Sequence, residues 1–333
     1  MSRSLRRPTI NDVAATAGVS KGTVSRVLNG KNWISPDTRA AVHAAVDSLG
    51  YIPNGNAQNL ARERTNCIAL VFSEPTLLLA QNAIFATVLE RLTSELTARG
   101  YSAVLMFAHQ EQQRPHVLDQ VQRRHVDGVI MLTGNADDPI IPMLSETGIP
   151  MVTTGPVRRG STLLYSGVDD AMGSTQAIEH LLSLGRSRIG IITGPVLSYG
   201  SELRLSAARD ALGALDDPAR VEVAAQFTAA EGYERAKTVL ARCPDLDALY
   251  VASDVLAQGA MAYVRESGRR IPQDVAIVGF DNISTAETLD PPLTTIAPTE
   301  TDTSVVTLIL NLIDGLPVQS IDVPTRLVRR ESA

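Results

Sequence analysis

Residues 9–30 read TINDVAATAGVSKGTVSRVLNG, and the punctuation of this stretch decides what the front of the chain is. Thr9 followed by Asp12 opens a helix, because a hydroxyl and a carboxylate at that spacing satisfy first-turn amides. Ile10, Val13, Ala14 and Ala17 repeat at helical spacing, and Gly18 ends the run. Ser20 caps a second helix that carries Val24, Val27 and Leu28 on one side and stops at Asn29-Gly30. Ser35-Pro36-Asp37 is a third start, with Ser as cap and Pro at the first helical position; that helix runs through Val42 and Val46 to Leu49-Gly50. Two short helices across a glycine turn, braced by a third, read as a helix-turn-helix.

Charge separates this module from the rest. Residues 1–64 hold nine Lys/Arg against four Asp/Glu, whereas the remainder holds 21 basic and 32 acidic residues, and the whole chain carries −6. A cationic module on an acidic body suits a polyanion partner for the first part only. Over 333 residues the chain is 44% hydrophobic and 20% charged, which excludes global disorder. No apolar run approaches the ~18–20 residues of a membrane helix, so no membrane association is expected. The basic start MSRSLRRPTINDV has no apolar stretch behind it and is not read as a secretory signal. Cys67 and Cys243 stand far apart without a CxxC partner, so a cytoplasmic location without a disulfide framework is expected.

From Ile68 onward the pattern changes. CIALVF, SAVLMFA, DGVIMLT and PMVTTG are apolar runs separated by helical segments at 84–99, 114–124 and 139–147. RIGIITG, VEVAAQF, ALYVASD and VAIVGFD form a second series, alternating with helices near 171–184, 201–215, 231–242 and 255–267. Such alternation implies two α/β subdomains with parallel sheets. Asp281 directly follows VAIVGF, at the carboxyl end where α/β sheets bind ligands. GVSKG at 18–22 fits the nucleophile-elbow pattern, but the segment before it is a helix where that motif requires a strand. No Walker A or GxGxxG opening occurs, and the five His show no metal spacing. The reading is therefore of a protein that is not an enzyme and takes no metal or cofactor.

VAATAGVS, TVSRVLNG and YIPN, with HLLSLGRSRIGIITGP, IPQDVAIVGFDN and PPLTTI further on, closely resemble the LacI–GalR (lactose-repressor) family. The resemblance covers nearly the whole chain. It implies an all-α helix-turn-helix headpiece at 1–50 and a hinge helix at 51–64. An α/β core of two Rossmann-like, periplasmic-binding-protein-like subdomains would follow, one from 65–166 and 298–323, the other from 167–297 and 324–333. The implied function is a sequence-specific repressor that binds a palindromic operator in double-stranded DNA as a homodimer, controlled by a small-molecule effector, a sugar, between the subdomains. Control by a partner protein or a non-sugar metabolite is the alternative. The chain lacks a heptad-bearing tail after TRLVRRESA, which favours a dimer over a tail-held tetramer.

Residue roles follow from the same resemblance. Lys21, Gly22 and Arg26 occupy the three base-reading positions. Arg26 can pair bidentately with guanine and Lys21 can donate to it, while Gly22, without a side chain, is expected to weaken direct readout. Thr23, Ser25 and Asn29 suit phosphates, and Thr9, Ser20 and Asn54 complete the DNA-facing set. In the hinge, Ala57 would meet the partner helix or groove floor, and Leu60 would either wedge a central base step or, in a plain linker, cover the core. In the cleft, Phe85 stands at the mouth of the first core helix, Arg204, Ser253 and Asp281 supply polar contacts, and Phe227 either stacks on the ligand or belongs to the core. Asp169 either reaches the cleft or caps a helix. On the wedge reading, Leu60→Ala weakens operator binding, measured by duplex titration, while effector binding is unchanged; equal loss of both contradicts it.

Overall fold

The computed structural model describes residues 8–28, 33–51, 64–132, 135, 137–158, 160–299 and 304–333. The chain divides into two units, Met1–Asn66 and Cys67–Ala333.

The first unit contains α1 (Ile10–Ala17), α2 (Lys21–Leu28) and α3 (Pro36–Leu49). Thr9 donates from its amide and its hydroxyl to the Asp12 carboxylate, both at 2.7 Å. Ser20 Oγ accepts the Thr23 amide at 3.1 Å, and Ser35 Oγ accepts that of Thr38 at 3.3 Å. Gly18 and Gly50 close α1 and α3 in the left-handed region, at φ 67° and 60°, where L side chains are strained. Val13, Ala14, Val24, Val27, Val42 and Ala45 form the buried core.

The second unit holds two layered halves. The first contains β1 (Cys67–Phe72), α4 (Leu78–Gln81), α5 (Ala83–Ala98), β2 (Ser102–Phe107), α6 (Arg114–Gln122), β3 (Gly128–Leu132), α7 (Ile140–Ser145), β4 (Met151–Thr153) and β5 (Leu164–Val168). The chain then crosses to α8 (Asp170–Ser183), β6 (Ile189–Thr193), α9 (Tyr199–Leu212), β7 (Val221–Val223), α10 (Ala229–Arg242), β8 (Ala248–Val251), α11 (Asp254–Glu266), β9 (Ala276–Val278) and β10 (Thr295–Pro298). It returns for α12 (Ser304–Ile313) and β11 (Ile321–Val323), and crosses again into β12 (Thr325–Val328). One parallel sheet has the order β11-β5-β4-β3-β1-β2, the other β7-β6-β8-β9, and β10 pairs antiparallel with β12. Near the C-terminus Ser332 locks onto β9, its carbonyl accepting the Ile277 amide and its hydroxyl donating to the Ile277 carbonyl.

Two expectations are corrected. VEVAAQF, read as one strand, is β only through Val223, and Gln226 and Phe227 lie in the turn before α10. The helix α12 was not foreseen, although SVVTLILNLI buries Val305, Val306, Leu308 and Ile309 at helical spacing, repeats Ser304, Thr307 and Asn311 three and four residues apart, and packs against β3, β4 and β5.

In the second half α10 and α11 cross almost backbone to backbone. A Cβ on Gly232 would overlap the Leu256 carbonyl, and one on Gly259 the Ala229 carbonyl. Neither obstacle is a side chain able to move aside. Gly259→Ala is therefore expected to cost about 3 kcal/mol, seen as a lower denaturant midpoint of the full chain. An unchanged midpoint would contradict the close crossing.

Candidate DNA-reading face and effector site

The helix α2 turns Val24 and Val27 inward and leaves Lys21, Gly22 and Arg26 exposed on the other side. Thr23 and Ser25 are half-buried at the margins of that face. Ser20 spends its hydroxyl on the cap and on Thr23 Oγ1, 2.9 Å away. Thr9 is exposed at the start of α1. Asn29, Asn54, Ala57 and Leu60 lie outside the described residues.

In the second unit the polar groups gather where strands end. Asn135, beyond β3, forms a backbone bridge to Ser198, beyond β6, so the carboxyl ends of the two sheets face each other. On the second side α9 brings Arg204 inward. Its Nε donates to Asp170 Oδ1 at 2.7 Å, and Nη1 donates to the Ala252 carbonyl at 2.6 Å and to Asp281 Oδ1 at 3.3 Å. The guanidinium carbon lies 3.7 Å from the Phe280 ring centroid, a buried cation–π contact worth about 2 kcal/mol.

One cation thus serves two buried carboxylates. Burial works against the Arg204 charge, but Asp170 and then Asp281 outweigh it and raise its pKa. Asp170 is also raised, by burial first, against the pull of Arg204. Asp281, the more distant partner, is pushed up to about 6 by burial, with Arg204 opposing and Asp170 adding to the rise.

The turn bearing Asp281 is strained and fastened. Asp281 and Asn282 have φ of 102° and 51°, a conformation that costs non-glycine residues on the order of 1–3 kcal/mol each. Asp254 holds the turn: its amide donates to the Phe280 carbonyl, and its carboxylate accepts the Ile283 amide at 2.9 Å and the Thr295 hydroxyl at 2.5 Å.

The other expected cleft residues divide. Phe227 is half-buried against the core, and its ring fills the place a Cβ on Gly194 would take. Ser253 is 1% exposed and caps α11, accepting the Leu256 amide. Asp169 caps α8 through the Met172 amide at 2.8 Å, while its neighbour Asp170 makes the ion pair. Phe85 lies in the first turn of α5 and packs edge-on to Phe72, centroids 4.9 Å apart.

Sequence reasoning missed Asp170 and a first-side group. Glu74, just beyond β1, is raised by burial, with Asp138 adding and His109 opposing; His109 Nδ1 lies 3.1 Å from the Ser73 carbonyl. Glu74 stands one residue beyond CIALVF, after Ser73, much as Asp281 directly follows VAIVGF, so a similar signal was available. Ser73 Oγ and Ser201 Oγ are buried without a hydrogen-bond partner among the described residues, and such atoms call for a partner from outside. Among the described residues no cluster of His, Cys, Asp or Glu is arranged to hold a metal, and no helix is long and apolar enough to cross a membrane.

A helix-turn-helix with an exposed basic face, on the same chain as a two-sheet α/β core with a polar site at converging strand ends, defines a DNA-binding transcription regulator with a ligand-binding core. Residues 9–54 match the model of bacterial regulatory proteins of the lacI family, and residues 178–333 match a periplasmic binding protein-like domain. The HTH-type transcriptional regulator CelR of Thermobifida fusca is 38% identical over 304 residues, 89% of this chain and 88% of that protein. The HTH-type transcriptional repressor PurR of Escherichia coli O139:H28 is 31% identical over 335 residues, 97% and 96% of the two chains. A CelR–cellobiose complex superposes with a TM-score of 0.75 at 34% identity, over 98% of this chain and all of that one. The lac repressor dimer bound to operator and the anti-inducer ONPF gives 0.86 at 28% identity, over 98% and 99%. The chain belongs to the lacI family of bacterial regulatory proteins; it is a transcriptional regulator, not an enzyme.

The raised Asp281 has a consequence with a definite sign. Its folded pKa of about 6 lies above the ordinary 3.8. Between those values the folded chain keeps a proton that the unfolded chain has lost. The associated stability is complete below about pH 4 and is lost as the pH rises through about 6. Melting temperatures of Asp281→Asn should therefore fall less between pH 5 and 7 than those of the wild type; parallel curves would contradict the burial of a charged Asp281.

Proposed function

We propose that this regulator is a cytoplasmic homodimer that represses transcription from a palindromic operator and changes its grip on that DNA when a neutral sugar enters the cleft of its core. The observation that carries the ligand class is Arg204 held between Asp170 and Asp281. Two of the three guanidinium nitrogens are already engaged, and the carboxylates outnumber the cation. An anionic ligand would add charge to a buried negative excess, whereas a polyol donates hydroxyls to carboxylate oxygens. The unpartnered hydroxyls of Ser73 and Ser201 suit the same chemistry. A relative captured with cellobiose and one captured as a dimer on operator DNA support this reading.

Two exposed α2 faces in a two-fold dimer would read two half-sites of a palindrome. Effector and operator are then linked by a coupling free energy acting equally in both directions. Selection of random duplex DNA with the purified full-length chain, followed by sequencing, should enrich a two-fold symmetric site. Cellobiose or another neutral sugar should then shift the affinity for that duplex, and Asp281→Asn should bind the duplex but lose the shift. Enrichment of no symmetric site, with or without sugar, would refute the proposal.

A further inference from the structure

Trp33 is the single tryptophan of the chain and is 71% exposed. It lies ahead of α3, and the guanidinium carbon of Arg26 sits 5.1 Å from its ring centroid. Arg26 reaches back along α2 toward the helix N-terminus, the direction helical side chains take. There it lies across Gly22, one turn earlier: a Cβ built on Gly22 would stand 3.7 Å from Arg26 Nη2. That is ordinary contact, so alanine fits, but a longer side chain would compete with the guanidinium for the same space. Among the described residues no carboxylate pairs with Arg26, so its charge remains available to a ligand.

We infer that Gly22 and Trp33 are specificity-determining residues that position Arg26 for reading a guanine. Gly22 acts by leaving the surface of α2 empty. Trp33 acts by its π-face, which restricts the rotamers of a long cationic side chain before DNA arrives. A bidentate pair with guanine N7 and O6 demands a fixed guanidinium plane, and recognition helices present their N-terminal residues to base edges. On this reading the missing side chain of Gly22 makes room for the one that reads. The inference rests on the DNA-binding reading and assigns within it which residues set one base of the half-site.

Two measurements on the full-length chain test this, and they fail separately. Without DNA, the emission of Trp33 should differ between wild type and Arg26→Gln, since this is the only indole present; identical spectra would overturn the contact. With DNA, random-duplex selection is run on wild type, Trp33→Ala, Trp33→Phe, Gly22→Ala and Gly22→Gln. Trp33→Ala should return a site of the same symmetry and spacing in which one G·C pair per half-site is loosened, with discrimination at that pair falling roughly tenfold. Trp33→Phe and Gly22→Ala should keep the preference, and Gly22→Gln should lose or change it. The salt dependence of binding should stay the same for Trp33→Ala, because no phosphate contact is removed. Uniform weakening on all duplexes with an unaltered consensus would overturn the inference and make Trp33 a backbone contact. Failure of the wild type to enrich any symmetric site would refute the regulator reading and the reading role together, whatever the emission shows.

Discussion

The core depends on a guanidinium that has more carboxylate neighbours than it can neutralise. Arg204 comes from α9, Asp170 from the start of α8 and Asp281 from the turn beyond β9, so three separately positioned segments meet through one side chain. Truncating Arg204 would leave two carboxylates in the interior without their cation, which is strongly destabilising. Phe280 beneath the cation and Asp254 behind the turn fix the geometry, and the left-handed backbone at Asp281 and Asn282 shows that this order is held against local preference.

A site assembled in this way can answer a ligand because it is poised rather than satisfied. Ordinary structural ion pairs balance their charges; this one keeps an excess of acceptors, and unpartnered hydroxyls stand beyond β1 at Ser73 and in the first turn of α9 at Ser201. A ligand that supplies donors completes both sides at once, and the free energy so gained is available to favour one arrangement of the core over another. The headpiece shows the complementary economy, with a cation that has no carboxylate partner among the described residues and lies 5.1 Å from the centre of an indole ring.

The fold was legible where local chemistry and tertiary role agree. The caps at Ser20 and Ser35, the stops at Gly18 and Gly50, and runs such as CIALVF and DGVIMLT each stand where the sequence pattern places them. The helix α12 went unread because its polar stripe, Ser304, Thr307 and Asn311, is set in an otherwise apolar run, and the pattern failed at VEVAAQF, where apolar composition continues past the last strand pairing. In the site, Arg204 and Asp281 were legible from the family resemblance and from position. The choice between Asp169 and Asp170 was not: both are carboxylates at the start of one helix, and only the fold decides which caps and which pairs. Ser253, expected as a ligand contact, accepts the Leu256 amide as a helix cap. The role proposed for Gly22 was hidden because it depends on where the Arg26 side chain lies, over Gly22 and beside Trp33.

The most direct test of the buried negative excess as the selector of ligand is calorimetric titration of the full-length chain with neutral sugars, cellobiose among them, and with the corresponding sugar phosphates. The account predicts saturable binding of at least one neutral sugar and none of its phosphorylated counterpart. Binding of the phosphosugar alone would contradict it.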